Sequence, residues 1–495
     1  MRDSSDLQRR RPASSRTKSS GGTTTIRRRK RKSDPNRTAC VAALAFVAVF
    51  APLGFIANRF IGHADTLDAP LDHRFLQEWK PKLKHTDTTT DDTKSAERET
   101  RYHSLYHKKF GTSELGYDVY DCPPTPPPDY PKAWSVPDVL TNWNPKDVTT
   151  LPPNHRDVYH SLCIFDYVTQ YDIALTYRNA EKPFVIRNDP KVDKVVEKWD
   201  DGGDYLHSVL GDEEDHRVER SPVNNFMWYR LRGNKHHQEK DSLGDYVKPL
   251  NDETTMTYGE WLEHALEKDG VALGDELLIA KSKEMKDRRL NSENRSLPKE
   301  EEDHSTANGQ GETEEEKDEK WYYFRLNANI QNGKEGGLDA FVYDELSFFD
   351  PRKRMDSEFY IVDPKEVRGI NCRFGMRGVI AANHFDMSRN MIAILGGERR
   401  YIIAHPSQCK NMALYPRGHP SLRHSSIDWS NPSEWDNDPN FRQAQVTEVI
   451  MHAGDVLYLP TSWFHYIINF SLNFQCNARS GTTYENEQAM NECGF

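Results

Sequence analysis

A histidine and a carboxylate two residues apart can share one metal ion, and the chain offers five such pairs: His63/Asp65, His85/Asp87, His155/Asp157, His237/Glu239 and His384/Asp386. Spacing alone does not choose among them. The first two lie in a polar stretch, His155 in a Pro-Asn loop, and His237 in the charged run Lys235–Lys240. Each of these reads as a solvated surface histidine. Only His384 ends an apolar run, Gly378–His384. Residues i and i+2 of a strand project from one face, so His384 and Asp386 can hold one ion while Phe385 turns away. A third ligand has to come from a distant strand. His465 fits, because it follows Gly454-Asp-Val-Leu-Tyr-Leu-Pro460, where a turn launches a strand and proline ends it. Trp463, His465 and Ile467 then share one face. Two imidazoles and a carboxylate take three corners of an octahedron and leave three open, the arrangement of non-haem Fe(II) oxygenases. Taken singly, either histidine is more often a hydrogen-bonded core residue.

The elements that must position these residues are strands. From Trp321 onward the hydrophobic period is two. The expected strands are Tyr322–Ala328, Glu358–Val362, Gly378–His384, Met391–Leu395, Arg400–Ala404, Val446–His452, Asp455–Leu459, Trp463–Asn469 and Leu472–Ala478. Many short strands with turn residues between them imply a mainly β fold, a jelly roll or cupin-like barrel. Upstream, Ser161–Arg178, Trp199–Gly211 and Met256–Asp269 read as flanking helices and Lys182–Arg187 as a short buried strand. Folded sequence is expected from Asn154 to the C-terminus, residues 154–495. Residues 281–320 interrupt it with thirteen acids and nine bases. Such a segment buries too little apolar surface to offset its ordering entropy, so it reads as a disordered insertion.

Residues 1–38 carry thirteen Lys or Arg against three acids, within a net charge of −11 for the whole chain. The remainder is therefore strongly acidic, which argues against nucleic acid as the partner of the folded part. Ala39–Ala57 is an uncharged apolar run just long enough to span a bilayer core. The basic run Arg27–Lys32 before it places the N-terminus in the cytosol. These features predict a transmembrane signal anchor, a cytosolic tail over 1–38 and a polar, Pro-rich stem over 58–153. The folded domain would then lie in the lumen of the endoplasmic reticulum or Golgi, as in a single-pass type II membrane protein. Cys122, Cys163, Cys372, Cys409, Cys476 and Cys493 lie beyond the span. In an oxidising lumen these six can pair, but the sequence selects no connectivity.

Several segments in order carry a family pattern. Gly375-Met-Arg-Gly-Val-Ile-Ala-Ala-Asn-His-Phe-Asp386 holds two candidate ligands, and Asn390 stands six residues after the first. Gly396-Gly-Glu-Arg-Arg-Tyr401, the segment Gly454–His465, Asn477 in Gln475-Cys-Asn-Ala-Arg479 and Tyr323 in Trp321-Tyr-Tyr-Phe-Arg325 complete the set. Together they resemble the JmjC/cupin-type 2-oxoglutarate oxygenases, whose domain is a double-stranded β-helix. The resemblance implies Fe(II) held by His384, Asp386 and His465, with 2-oxoglutarate as co-substrate. It also implies that Arg399 and Tyr323 take the far carboxylate, and that Asn390 and Asn477 are polar residues of the co-substrate pocket. Where the family commonly has lysine and threonine, this chain has Arg399 and Ala381.

The implied activity is hydroxylation of a protein or peptide side chain. Two other readings stand beside it. One is a cupin-like metal-binding module without turnover, to which Arg399 and Ala381 lend weight. The other is a type II membrane glycosyltransferase, for which Asp200-Asp-Gly-Gly-Asp204 is the nearest metal motif.

Overall fold

The computed structural model describes residues 106–108, 110–148, 156–229, 250–296, 320–329 and 338–495. Nine strands precede the barrel: β1 Tyr106–Lys108, β2 Trp134–Ser135, β3 Arg156–Val158, β4 Ile164–Asp166, β5 Phe184–Arg187, β6 His216–Ser221, β7 Asn225–Phe226, β8 Asp252–Met256 and β9 Trp321–Ala328. Eight more build it: β10 Val367–Gly375, β11 Ile380–Phe385, β12 Asn390–Gly396, β13 Glu398–Ala404, β14 Gln445–His452, β15 Val456–Leu459, β16 Phe464–Asn469 and β17 Asn473–Ser480.

The large sheet runs β4-β5-β15-β12-β17-β10-β9-β6-β8 and the small one β2-β14-β13-β16-β11-β7. Consecutive strands cross between the two sheets, except that β13 and β14 pair within one. Four strands of each sheet therefore form a double-stranded β-helix. Side chains of alternate residues fill the space between the sheets: Ile392 and Ile394, Tyr401 and Ile403, Val449 and Met451, Leu457 and Leu459, Trp463 and Ile467. The intervening residues are buried as well. Helices Pro190–Trp199 and Tyr258–Leu273 pack on the outer face of the large sheet through Val192, Val196, Trp199, Trp261 and Leu262. The helix Val136–Asn142 covers the small sheet through Val136, Val139 and Leu140. A sheet covered on both faces reads as near-continuous apolar sequence, and β12, β15 and β16 do so, while β14 is buried from Val446 onward despite Thr447 and Glu448.

The cover of the small sheet lies inside the expected stem, so the folded body starts earlier than Asn154. The cause is a buried ion pair. Arg400 and Glu448 face outward from β13 and β14, and neither has any exposed side-chain surface. Arg400 Nε donates to Glu448 Oε2 at 2.5 Å, and its Nη1 donates to Trp143 O at 2.7 Å. Glu448 Oε1 accepts the Tyr159 backbone N–H at 2.7 Å. The Pro-rich run is pinned too: Tyr130 donates its hydroxyl to Pro183 O at 2.7 Å, and Cys122 is bonded to Cys163. Residues 110–148 are therefore a wrapped part of the domain.

Other expectations shift locally. Glu358–Val362 is a turn after the short helix Arg354–Ser357, with Phe359, Tyr360 and Ile361 buried by tertiary packing. Ser161–Arg178 divides into β4 and the helix Tyr171–Asn179, and Trp199 ends one helix while Gly211 caps the next. The helix Glu276–Ser296 enters the expected disordered insertion, where Arg289 clasps Glu263 through two hydrogen bonds, at 3.0 and 3.2 Å. Residues 297–319 of that insertion lie outside the described residues, as do the candidate span 39–57, the basic tail and the stem up to residue 105. Among the described residues no helix is long and apolar enough to cross a membrane. Three disulfides join Cys122–Cys163, Cys372–Cys476 and Cys409–Cys493.

Breaking a buried ion pair from one side leaves the other charge unpaired. Glu448→Ala is expected to cost about 3–5 kcal/mol in chemical denaturation. A double replacement of Arg400 and Glu448 by methionine should recover most of that loss. Equal losses in the two variants would mean that packing, and not charge, fixes the cover.

Candidate metal centre

The triad is assembled where β11 meets β16. His384 and His465 are direct cross-strand partners, and their ring centroids lie 4.1 Å apart. A register shift between Ala381 and His384 marks a bulge that re-aims the end of β11. Asp386 sits just past that end, where its carbonyl accepts the Ser462 N–H at 2.8 Å. Phe385 turns outward onto Phe464 and Phe495. One ligand atom from each of His384, Asp386 and His465 falls within 4.8 Å of the others. Among the described residues this is the group of three that can hold a metal ion.

Each imidazole is held by its back nitrogen. His384 Nδ1 lies 2.8 Å from Ala382 O, and His465 Nδ1 lies 3.1 Å from Trp463 O. Donation from Nδ1 to a carbonyl fixes the tautomer and leaves Nε2 as a lone-pair donor. Burial, with His465 and His424 next to it, pushes His384 well below the usual histidine range. Burial lowers His465 also, against the pull of Asp386. Burial alone would raise Asp386, but the charge of Arg479 outweighs it and holds the carboxyl below its usual value. Neutral imidazoles make the 4.0 Å separation of His465 Nε2 and Asp386 Oδ2 no ion pair. Two neutral nitrogens and one ionised carboxylate are the protonation states that a metal requires.

Behind Asp386 a line of amides runs down the barrel. Asn390 Nδ2 donates to Asp386 Oδ2 at 3.3 Å, and Asn477 Nδ2 donates to Asn390 Oδ1 at 2.8 Å. Gln475 Nε2 donates to Asn477 Oδ1 at 3.4 Å, and Arg399 Nη1 donates to Gln475 Oε1 at 2.6 Å. Arg399 has no exposed surface. It also donates to Asn473 Oδ1 at 2.6 Å, the Arg373 carbonyl at 2.7 Å and the Tyr323 hydroxyl at 3.3 Å. All of these acceptors are neutral. A buried guanidinium with no counter-charge is a poor choice for structure alone, and it suits an anion arriving from outside. Ala381, on the inner face, packs against the apolar part of the interior.

All seven residues singled out from the sequence thus line one continuous interior. The others are elsewhere. Asp157 sits on β3, and its partner His155 and the pairs at 63, 85 and 237 lie outside the described residues. Asp200, Asp201 and Asp204 do not converge on an ion: they bind Gly397 N, the backbone N–H groups of Gly203 and Tyr205, and Lys281. Sequence reasoning gave no role to Asn473, Gln475 or Arg479, although every second residue of β17 is polar within a buried strand. It also passed over His424, whose ring stacks on His384 at 4.9 Å and which burial and Arg423 push down to about 3.

The cupin-like domain family matches residues 173–478. Lysine-specific demethylase 8 of Xenopus tropicalis is 35% identical over 106 residues, 21% of this chain and 23% of that protein. Lysine-specific demethylase JMJ30 of Arabidopsis thaliana is 28% identical over 117 residues, 23% and 27% of the two chains. The tRNA wybutosine-synthesizing protein 5 of Gallus gallus is 29% identical over 97 residues, 20% of this chain and 29% of that one. The chain thus spans about a quarter of the length of these relatives. JmjC-type oxygenases of this kind use Fe(II) and 2-oxoglutarate, and their His-Asp-His set is present here. With the double-stranded β-helix, the triad at its mouth and a match over most of the folded sequence, the chain belongs to the cupin-like domain family.

Proposed function

We propose that the protein is an Fe(II)- and 2-oxoglutarate-dependent oxygenase that hydroxylates a protein side chain in the lumen of the secretory pathway. The observation that carries the chemistry is the pairing of the His384, Asp386 and His465 triad with the buried Arg399, whose acceptors are all neutral, at the far end of one interior. His384, Asp386 and His465 would hold the metal, and Arg399 with Tyr323 would hold the far carboxylate of the co-substrate. Bound together, these two groups would activate O2, the oxidant for C–H hydroxylation, with 2-oxoglutarate giving up two electrons as it becomes succinate and CO2.

The chain's own residues orient and protect. Ala382 and Trp463 carbonyls fix the two imidazoles. Asn390 steers one Asp386 oxygen, and through Asn477 and Gln475 its position is tied to that of Arg399. Tyr401, Ile392 and Ile394 close the interior to water on the sides away from the triad.

Three disulfides favour an oxidising compartment, and the basic run before the apolar segment 39–57 favours an anchored, lumenal domain. The acidic balance of the chain beyond residue 38 speaks against a nucleic-acid substrate. The named demethylases and the wybutosine-synthesizing protein share only part of their length with this chain, so their substrates are not carried over to it. Protease treatment of sealed microsomes should spare residues 106–495. Digestion without detergent would refute the lumenal placement.

Purified protein should retain iron and convert 2-oxoglutarate to succinate. His384→Ala should lower both by about 100-fold or more, since even residues that only orient a metal ligand contribute 10–100-fold. Wild-type protein that binds iron but consumes no 2-oxoglutarate would favour the non-catalytic module. Arg399→Gln should keep its iron and raise the KM for 2-oxoglutarate by about tenfold or more, the loss of a charge-assisted bond. An unchanged KM would remove Arg399 from the co-substrate site.

A further inference from the structure

Besides Arg399, the inner face of the large sheet carries Arg325, Arg373 and Arg479, more cations than its carboxylates balance. Arg325 on β9 lies directly opposite Arg373 on β10, although like charges in that position repel. Arg325 is answered by an ion pair with Glu219. Arg373 is not: its Nη1 donates to Cys372 O at 2.9 Å and Asn327 Oδ1 at 3.4 Å, both neutral. It is also partly accessible. Burial, with Arg479 and Arg217 and against the opposing pull of Tyr323 and Asp386, lowers it to about 10, which still leaves a cation at neutral pH. Arg479, on the strand beyond, rests its Nη2 on Asp386 Oδ2 at 2.7 Å with 32% of its side chain exposed. The Nε atoms of Arg325 and Arg479 are buried without any partner.

A divalent metal on Asp386 changes this balance. The metal and Arg399 together offset Asp386 and a dianionic co-substrate. Asp386, the carboxylate that Arg479 touches and whose charge acts on Arg373, is then shared with the metal, and the two guanidinium groups lose part of their compensation. Leaving both charges partly uncompensated in a partly dry site is costly, and a ligand that brings a carboxylate removes the cost.

We propose that the substrate side chain presented to the metal is acidic, an Asp or Glu of a peptide whose carboxylate is bound by Arg373 and Arg479. This rests on the oxygenase reading and narrows it to a substrate class.

Two fluorescent peptide pools of equal length test it, one with a central Asp or Glu and one with the isosteric Asn or Gln. Each is titrated into the full chain with Mn(II) and 2-oxoglutarate present. The acidic pool should bind about tenfold more tightly, as expected for a charge-assisted pair, and the preference should fade as salt is raised. Arg373→Gln should bring the two pools to parity, and Arg373→Lys should keep most of the preference. Equal affinities in the wild-type protein, tighter binding of the amide pool, or a preference that survives in a folded Arg373→Gln variant would overturn the proposal. If that variant does not fold, the wild-type comparison and its salt dependence decide. Metal retention is read separately, so a protein that holds no Mn(II) would count against the oxygenase reading while the pool preference still reports on the arginines.

Discussion

The chain of amides between Arg399 and Asp386 is the interaction on which the rest of the site depends. Gln475, Asn477 and Asn390 each accept on the Arg399 side and donate on the Asp386 side. A cation at one end and an anion at the other therefore polarise three dipoles in the same sense. Such hydrogen bonds strengthen one another in a low-dielectric interior. The arrangement holds the charges apart, yet it gives each of them a partner that is itself aligned. It also fixes the distance between the place for a metal and the place for a carboxylate, because Gln475 and Asn477 sit on one rigid strand, β17.

That strand is held from both sides. β10 and β12 flank it, and Cys476 on its outer face is bonded to Cys372 directly opposite on β10. The apolar outer residues Phe474 and Ala478 pack under the helices of the large sheet. The inward residues Asn473, Gln475, Asn477 and Arg479 are thereby committed to the interior, since a one-residue slip would exchange the two faces. Register, set by apolar packing outside, decides which polar groups meet inside.

The same alternation explains what could be read before the structure was known. His384, Asp386 and His465 were legible because an apolar strand ended in a His-x-Asp, and a turn-strand-proline segment delivered the second histidine. Barrel strands with a continuous apolar run, such as Met391–Leu395 within β12, were legible for the same reason. β10 was not, because the exposed Arg368 and the inward-facing Asn371 and Arg373 interrupt its apolar run. The helix Val136–Asn142 was hidden by the prolines around it. Its place depends on Arg400 and Glu448, which stand far away in the sequence and whose pairing no local pattern announces. Phe359, Tyr360 and Ile361 misled in the opposite direction: their burial is real, but tertiary packing produces it on a turn.

Charge runs in opposite directions at two scales. The whole chain is acidic, with a net charge of −11, while the interior around the triad collects Arg325, Arg373, Arg399 and Arg479 against two carboxylates, Glu219 and Asp386. Folding alone gives no reason to gather these cations, since apolar side chains of similar volume would fill the same space at lower cost. The part of the barrel formed by Ile392, Ile394, Tyr401, Ile403, Val449 and Met451 shows that the fold can do so. The polar half is therefore a destabilised region within an otherwise well-packed body. A group that binds only the folded state relieves that cost in proportion to its occupancy. Stability and ligand binding are in this way the same balance of charge, read at opposite ends of one strand.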